Sequence, residues 1–346
     1  MSTRSPVRGI FAFFRSRPIL LLLMLTPGIP EYLSGSSAVN ALFFNPFMFV
    51  FQILANLGLY GPGVLLIREA KIRWDKGWAT VLLLGAAYGI LEEGIALSTL
   101  FNPTAGPVGQ FGFFGHWLGV NWVWTAGIVP VHMIFSISLP ILLLGLAAPE
   151  TQGKSLLKSR KSIVTTFGIL FLDASMLFFF VLLGEHFWMG WPVFGASLVS
   201  IGALVYSARK VPSNALNPKT ETPVKRPRVT GVLGAIFYPS VLFVEFLGMG
   251  AKLPAFVVTL LVVLIQLLFL GYILRIVGRS GNERNLIALA TGLVLPLAAF
   301  GIISQISLPL VLIVDVALFA FFRRLWKTYG SPVPIRPSEQ TVVSPN

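Results

Sequence analysis

Hydrophobic and polar positions in this chain are sorted into long blocks rather than finely alternated. Apolar runs bounded by charge or by Gly/Pro clusters occupy about 18–34, 47–67, 78–100, 121–147, 163–184, 191–207, 229–248, 253–274, 285–303 and 306–321. A helix needs about 20 residues to cross roughly 30 Å of hydrocarbon, and these runs have that length. The pattern predicts an all-α polytopic membrane bundle of about ten transmembrane helices. Composition agrees, with 55% hydrophobic and only 11% charged residues over 346 positions.

The charged residues then orient the bundle. Of 26 Lys and Arg residues, 25 fall in the N-terminus, the tail and the segments 68–77, 148–162, 208–228 and 275–284, while Lys252 alone falls on the other side. Cations are retained on the cytoplasmic face, so an even number of spans with both termini cytoplasmic is expected. The same asymmetry accounts for the net charge of +13 without nucleic acid, and it makes anionic lipids of the inner leaflet the expected partner. The expected location is the cytoplasmic membrane of a prokaryote. The first run follows Arg15 and Arg17 like the start of a signal peptide, but Pro27, Pro30 and Glu31 come next without a convincing small-residue cleavage site, which favours a retained helix. There is no cysteine, so thiol chemistry and Cys-ligated metals are excluded.

Four regions are expected: a six-helix membrane part over 1–207, a basic cytoplasmic linker over 208–228, a four-helix part over 229–327, and a disordered cytoplasmic tail over 328–346. No repeat relates the two membrane parts.

Acids inside the apolar runs are the candidate chemistry, because each central carboxylate costs about 2.5 to 3.5 kcal/mol to insert. The spans hold Glu31, Glu92, Glu93, Asp173, Glu245 and Asp315 with His132, and no Lys or Arg. Glu92 lies eight residues, roughly 12 Å, from the outer end of the third span, and His132 eleven residues, roughly 16 Å, from the outer start of the fourth. Acids and histidine therefore share a depth. Asn121, Thr125, His132 and Ser136 recur at helical spacing and form one polar stripe. Adjacent residues on a helix diverge by about 100°, so only one of Glu92 and Glu93 is expected to face that stripe. Tyr88 lies one turn before the pair, and Gly85 with Gly89 gives a small-xxx-small face for close helix approach.

A buried carboxylate beside a histidine can activate a water and return its proton to a leaving group, with stripe donors facing the developing oxyanion. The plainer alternative is that the same hydrogen bonds fasten two helices together. The Glu92-Glu93 pair followed by a histidine-bearing helix resembles the CPBP family, the CAAX-prenyl-protease-like and bacteriocin-processing intramembrane peptidases. In that family the paired glutamates begin an EExxxR motif, followed by FxxxH and HxxxN motifs. Here Leu97 stands at the arginine position, Ile128 at the phenylalanine position and Ser136 at the asparagine position. The resemblance covers residues 92–136. It implies a metal-independent peptidase without cofactor, in which Glu92 or Glu93 activates water, His132 is its partner and Ser136 does part of the asparagine's work. The peptide or small-molecule substrate and the oligomeric state are not encoded in any motif.

The loop 101–120 is uncharged apart from His116 and rich in glycine and aromatics, which suits either a lid over the glutamates or an interfacial aromatic belt. His116 with Glu185 and His186 lacks the short spacing of a metal site, and no metal is expected. From another class, a proton-coupled transporter would use Asp173 and Asp315, mid-span acids that a hydrolase leaves idle. A non-catalytic assembly partner is the third reading.

Overall fold

The computed structural model describes residues 12–35, 45–217, 219, 221, 226–277, 282–304 and 308–330. The helices are α1 (Pro18–Leu33), α2 (Pro46–Arg73), α3 (Trp78–Ala96), α4 (Trp122–Ala147), α5 (Arg160–Gly184), α6 (Trp191–Lys210), α7 (Pro227–Gly250), α8 (Ala255–Ile276), α9 (Glu283–Ser304) and α10 (Leu308–Gly330). Among the described residues, α2 to α9 are eight helices long and apolar enough to cross a membrane, so the chain is a multi-pass helical membrane protein. The outermost two differ from these. α1 is a shorter apolar helix, and α10 carries Asp315, Arg323, Arg324 and Lys327.

Local chemistry explains the helix starts. Proline, whose missing N–H costs nothing in the first turn, opens α1, α2 and α7 and is second in α6. Asn45 caps α2 by accepting from the Met48 amide at 3.2 Å, and Ser159 with Ser162 forms a reciprocal capping box on α5. Several helices outrun the apolar spans. α2 continues to Arg73 because Glu69, buried, accepts from Arg73 Nε at 3.2 Å and from the Leu156 and Leu157 amides at 2.6 and 3.2 Å. α10 likewise runs to Gly330, taking in the first residues of the expected tail. Residues 331–346, the N-terminal 1–11 and the linker positions 218, 220 and 222–225 lie outside the described residues.

Burial ranks the helices. Of the apolar window of α3, 72% is buried, against 11% in α6 and α8, so α3 is central and those two are peripheral. Glycine lets backbones meet around it. A Cβ on Gly85 would lie 3.0 Å from Met133 Cα of α4, and one on Gly89 would lie 3.3 Å from His132 Cβ and Val129 Cα. The small-xxx-small face of α3 therefore seats α4 at the level of the histidine. On the other side, α7 and α9 meet backbone to backbone at Gly234, where a Cβ would lie 2.6 Å from the Leu289 carbonyl oxygen. One hydrophobic core joins Leu22, Ile29, Val81 and Phe135 to Ile287, Leu293 and Phe322.

Prolines inside helices release carbonyls that must find other donors in lipid. Pro130 cannot bond the Ala126 carbonyl four residues back, and Gln266 Nε2 of α8 takes its place at 2.8 Å. Leucine at position 266 would keep the volume and orphan that oxygen. Gln266→Leu is expected to cost about 1 to 3 kcal/mol in reversible unfolding in mixed micelles, and Gln266→Glu, which cannot donate when ionised, at least as much.

Candidate functional site

The polar residues of α1, α3 and α4 sit in stretches where the helix widens to π geometry: Gly28–Leu33, Ile90–Ala96 and His132–Ser138. Such bulges are uncommon and recur at functional sites. Glu31 lies in the first, Glu92 and Glu93 in the second, and His132 and Ser136 in the third. α3 then ends abruptly. Ser98 adopts φ of 56°, a left-handed conformation that L-residues pay to occupy, and it turns the chain so that Thr99 returns to Glu93.

His132 is held between both glutamates. Its Nε2 lies 2.8 Å from Glu93 Oε1 and its Nδ1 3.0 Å from Glu92 Oε2. The expectation that only one of the two acids faces the stripe is thus corrected: long side chains on a widened turn reach opposite edges of one ring. The three groups are buried, at 2%, 7% and 2% exposure for Glu92, Glu93 and His132, so their contacts are made away from bulk solvent.

The two carboxylates are not equivalent. Glu93 is fully engaged: Oε1 accepts from His132, Oε2 accepts from the Thr99 hydroxyl, and Trp124 Nε1 donates to that hydroxyl at 3.3 Å. On the far edge of the ring, the aligned partner of Nδ1 is Ser136 Oγ at 3.2 Å. Glu92 Oε2 is near Nδ1 but off the hydrogen-bond line, and it has no hydrogen-bond partner. With Nε2–H donating to Glu93 and the Ser136 hydroxyl donating to Nδ1, both aligned contacts of the ring are satisfied. Glu92 is then a carboxylate oxygen not spent on the framework.

Two tyrosines complete the wall. Tyr60 and Tyr88 each place a ring centroid 6.1 Å from that of His132. The Tyr60 hydroxyl donates to Glu31 Oε1 at 2.5 Å, and the buried Tyr88 hydroxyl lies close to Glu92 without an aligned hydrogen bond. Tyr60, Thr99 and Trp124 were not legible as site residues. Tyr60 reads as an ordinary aromatic, and Thr99 and Trp124 come close only through the turn at Ser98.

Other candidates lie elsewhere. Asn121 caps α4, accepting from the Trp124 amide at 3.0 Å and donating to the Phe111 carbonyl at 2.5 Å, and Thr125 donates to the Asn121 carbonyl at 2.7 Å. Both belong to the stripe by spacing, but their hydrogen bonds go to backbone. His116 bonds the Phe101 carbonyl at 3.0 Å within a two-residue hairpin, His116–Trp117 with Val120–Asn121. Its loop buries Val108 and Phe111, the latter against Phe246 of α7, and exposes Phe113, Trp117 and Leu118. Glu185 accepts from Asn102 Nδ2 at 3.1 Å. Asp173 faces α2 at Gly58, where a Cβ would lie 2.7 Å from its Oδ1, and Asp315 lies on α10.

Among the described residues, Glu92, Glu93 and His132 are the one group of three acid or histidine side chains with donor atoms close enough to share a metal ion, all within 4.8 Å. The ring fits a metal poorly while Ser136 donates to Nδ1 and Glu93 accepts from Nε2, because neither nitrogen then offers a lone pair. No family model, curated protein or solved structure matches this chain.

Proposed function

We infer that the chain is a glutamate-dependent intramembrane hydrolase of the peptidase type, with ten spans, both termini in the cytoplasm and its reacting groups in the outer half of a prokaryotic cytoplasmic membrane. The observation that carries this reading is the buried Glu92–His132–Glu93 cluster with one carboxylate oxygen left unengaged. The likeness of residues 92–136 to the CPBP pattern supports it, and Ser136, at the asparagine position, lies 3.2 Å from His132 Nδ1.

Each group then has a role. Glu92 takes a proton from water as the water oxygen bonds to the substrate carbonyl carbon, and that proton passes to the departing nitrogen as its bond to carbon breaks. His132, oriented by Glu93 and Ser136, packs next to Glu92 and keeps the two carboxylates apart. The Tyr88 hydroxyl, buried beside Glu92, donates to the developing oxyanion. Thr99 and Trp124 hold Glu93 in place.

Incubating purified wild type and Glu92→Gln with a library of transmembrane peptides, read by mass spectrometry for new termini, tests the reading. New termini in the wild type alone are expected. Identical spectra from both proteins would overturn it.

A second reading rests on different atoms. Asp173, Glu245 and Asp315 each bury a carboxylate oxygen that makes no hydrogen bond, as suits acids that load and release protons in a coupled transporter. Proton uptake by proteoliposomes that depends on Asp173 or Asp315, with no peptide cleavage, would favour it.

A further inference from the structure

Away from the acids, the start of α1 and the loop before α5 line an open surface pocket of about 470 Å³. Ile19, Leu20 and Leu23 of α1 and Leu156 of the loop form its apolar wall, and Arg17 and Lys158 stand beside them. The wall is fixed rather than draped. Leu156 is pinned by its amide, which donates to Glu69 at 2.6 Å, and Ser155 Oγ, also on the lining, donates to the same carboxylate at 2.5 Å.

Charge at this corner is unbalanced in one direction. Arg15 is neutralised by Glu150 through two hydrogen bonds of 3.0 and 2.9 Å, and the same contact holds the Glu150 carboxyl below its usual range and therefore ionised at neutral pH. Arg17 and Lys158 have no acidic partner among the described residues, and the Arg17 guanidinium lies 4.0 Å from the Phe13 ring centroid. Two uncompensated cations at the mouth of an apolar pocket, on the face that carries the other basic loops, match a molecule with an anionic head and a hydrocarbon body.

We propose that this pocket binds one anionic phospholipid of the cytoplasmic leaflet, its phosphate between Arg17 and Lys158 and an acyl chain along Leu20, Leu23 and Leu156. Each cation near such a headgroup contributes about fivefold in affinity. The proposal stands apart from the hydrolase reading, because none of these residues belongs to the Glu92 cluster.

The test is native mass spectrometry of the full-length protein in detergent, titrated with phosphatidylglycerol. One tightly retained lipid is expected, and Arg17→Gln with Lys158→Gln should weaken its retention by about 25-fold. Arg209→Gln with Lys210→Gln, which removes equal charge from an exposed site in the last turn of α6, should leave it unchanged. Equal retention of phosphatidylcholine, equal loss in the Arg209/Lys210 control, displacement by millimolar inorganic phosphate, or no effect of Arg17→Gln with Lys158→Gln would each overturn the proposal. Thermal unfolding of both double variants is run alongside, and an unchanged midpoint assigns any loss to the pocket.

Discussion

Glutamine at position 92 is expected to slow peptide hydrolysis by about a thousandfold, the middle of the range for removing a general base. The change is nearly isosteric, and Glu92 Oε2 makes no hydrogen bond, so the bundle loses little when that oxygen becomes an amide. Glu93→Gln should behave differently. Its amide can still accept from His132 and donate to Thr99, so the ring stays placed and the loss should be closer to tenfold, seen in kcat. Single-turnover cleavage of a peptide found in the library screen separates the two. If Glu93→Gln is the more damaging, the roles of the acids are reversed. If both variants cleave at the wild-type rate, neither acid is the base and the cluster is structural; if no peptide is cleaved and Asp173→Asn blocks proton uptake, transport is the better reading.

What the sequence made legible, and what it hid, follows from how each interaction is encoded. Carboxylates in an apolar run are conspicuous because solvation makes them expensive, so Glu92 and Glu93 stand out without any knowledge of the fold. Counting residues from each membrane face places His132 at their depth, and the observed contacts of 2.8 and 3.0 Å agree. Helical periodicity is less informative about partners. It puts Asn121 and Thr125 on the stripe of His132, yet a short polar side chain near a helix start bonds local backbone more readily than a neighbouring helix. The 100° rule fails for the glutamates because it assumes a regular helix and ignores side-chain reach. Nothing in Ile90–Ala96 announces a widened turn beyond its single glycine, Gly94. Thr99 is hidden for a third reason: it lies past the end of α3, and only the left-handed Ser98 brings it back. Gln266 was unmarked, although Pro130 guarantees that some donor must reach Ala126.

Removing the histidine tests the framework rather than the chemistry. In wild type, the ring separates two carboxylates and bonds one directly, so His132→Ala leaves two acids facing each other in a buried site with their shared partner gone. Breaking a buried pair from one side costs about 3 to 5 kcal/mol, chiefly from the charge left behind. That loss should appear in reversible unfolding in mixed micelles, where Glu92→Gln alone shows less than about 1 kcal/mol. If the cost lies in the stranded charge, removing that charge must return part of it. Glu93→Gln with His132→Ala is therefore expected to be more stable than the sum of the single changes, by a coupling of about 2 kcal/mol. Glu92→Gln with His132→Ala should show a smaller coupling, since the Glu92 contact is off the hydrogen-bond line. A coupling below about 0.5 kcal/mol for Glu93 would mean that the pair does not act as a unit, and Glu93 would lose its place as the group that fixes the ring. Equal couplings for both acids would instead make the ring a doubly donating imidazolium shared evenly between them, and the distinction between an engaged and an unengaged glutamate would fall with it.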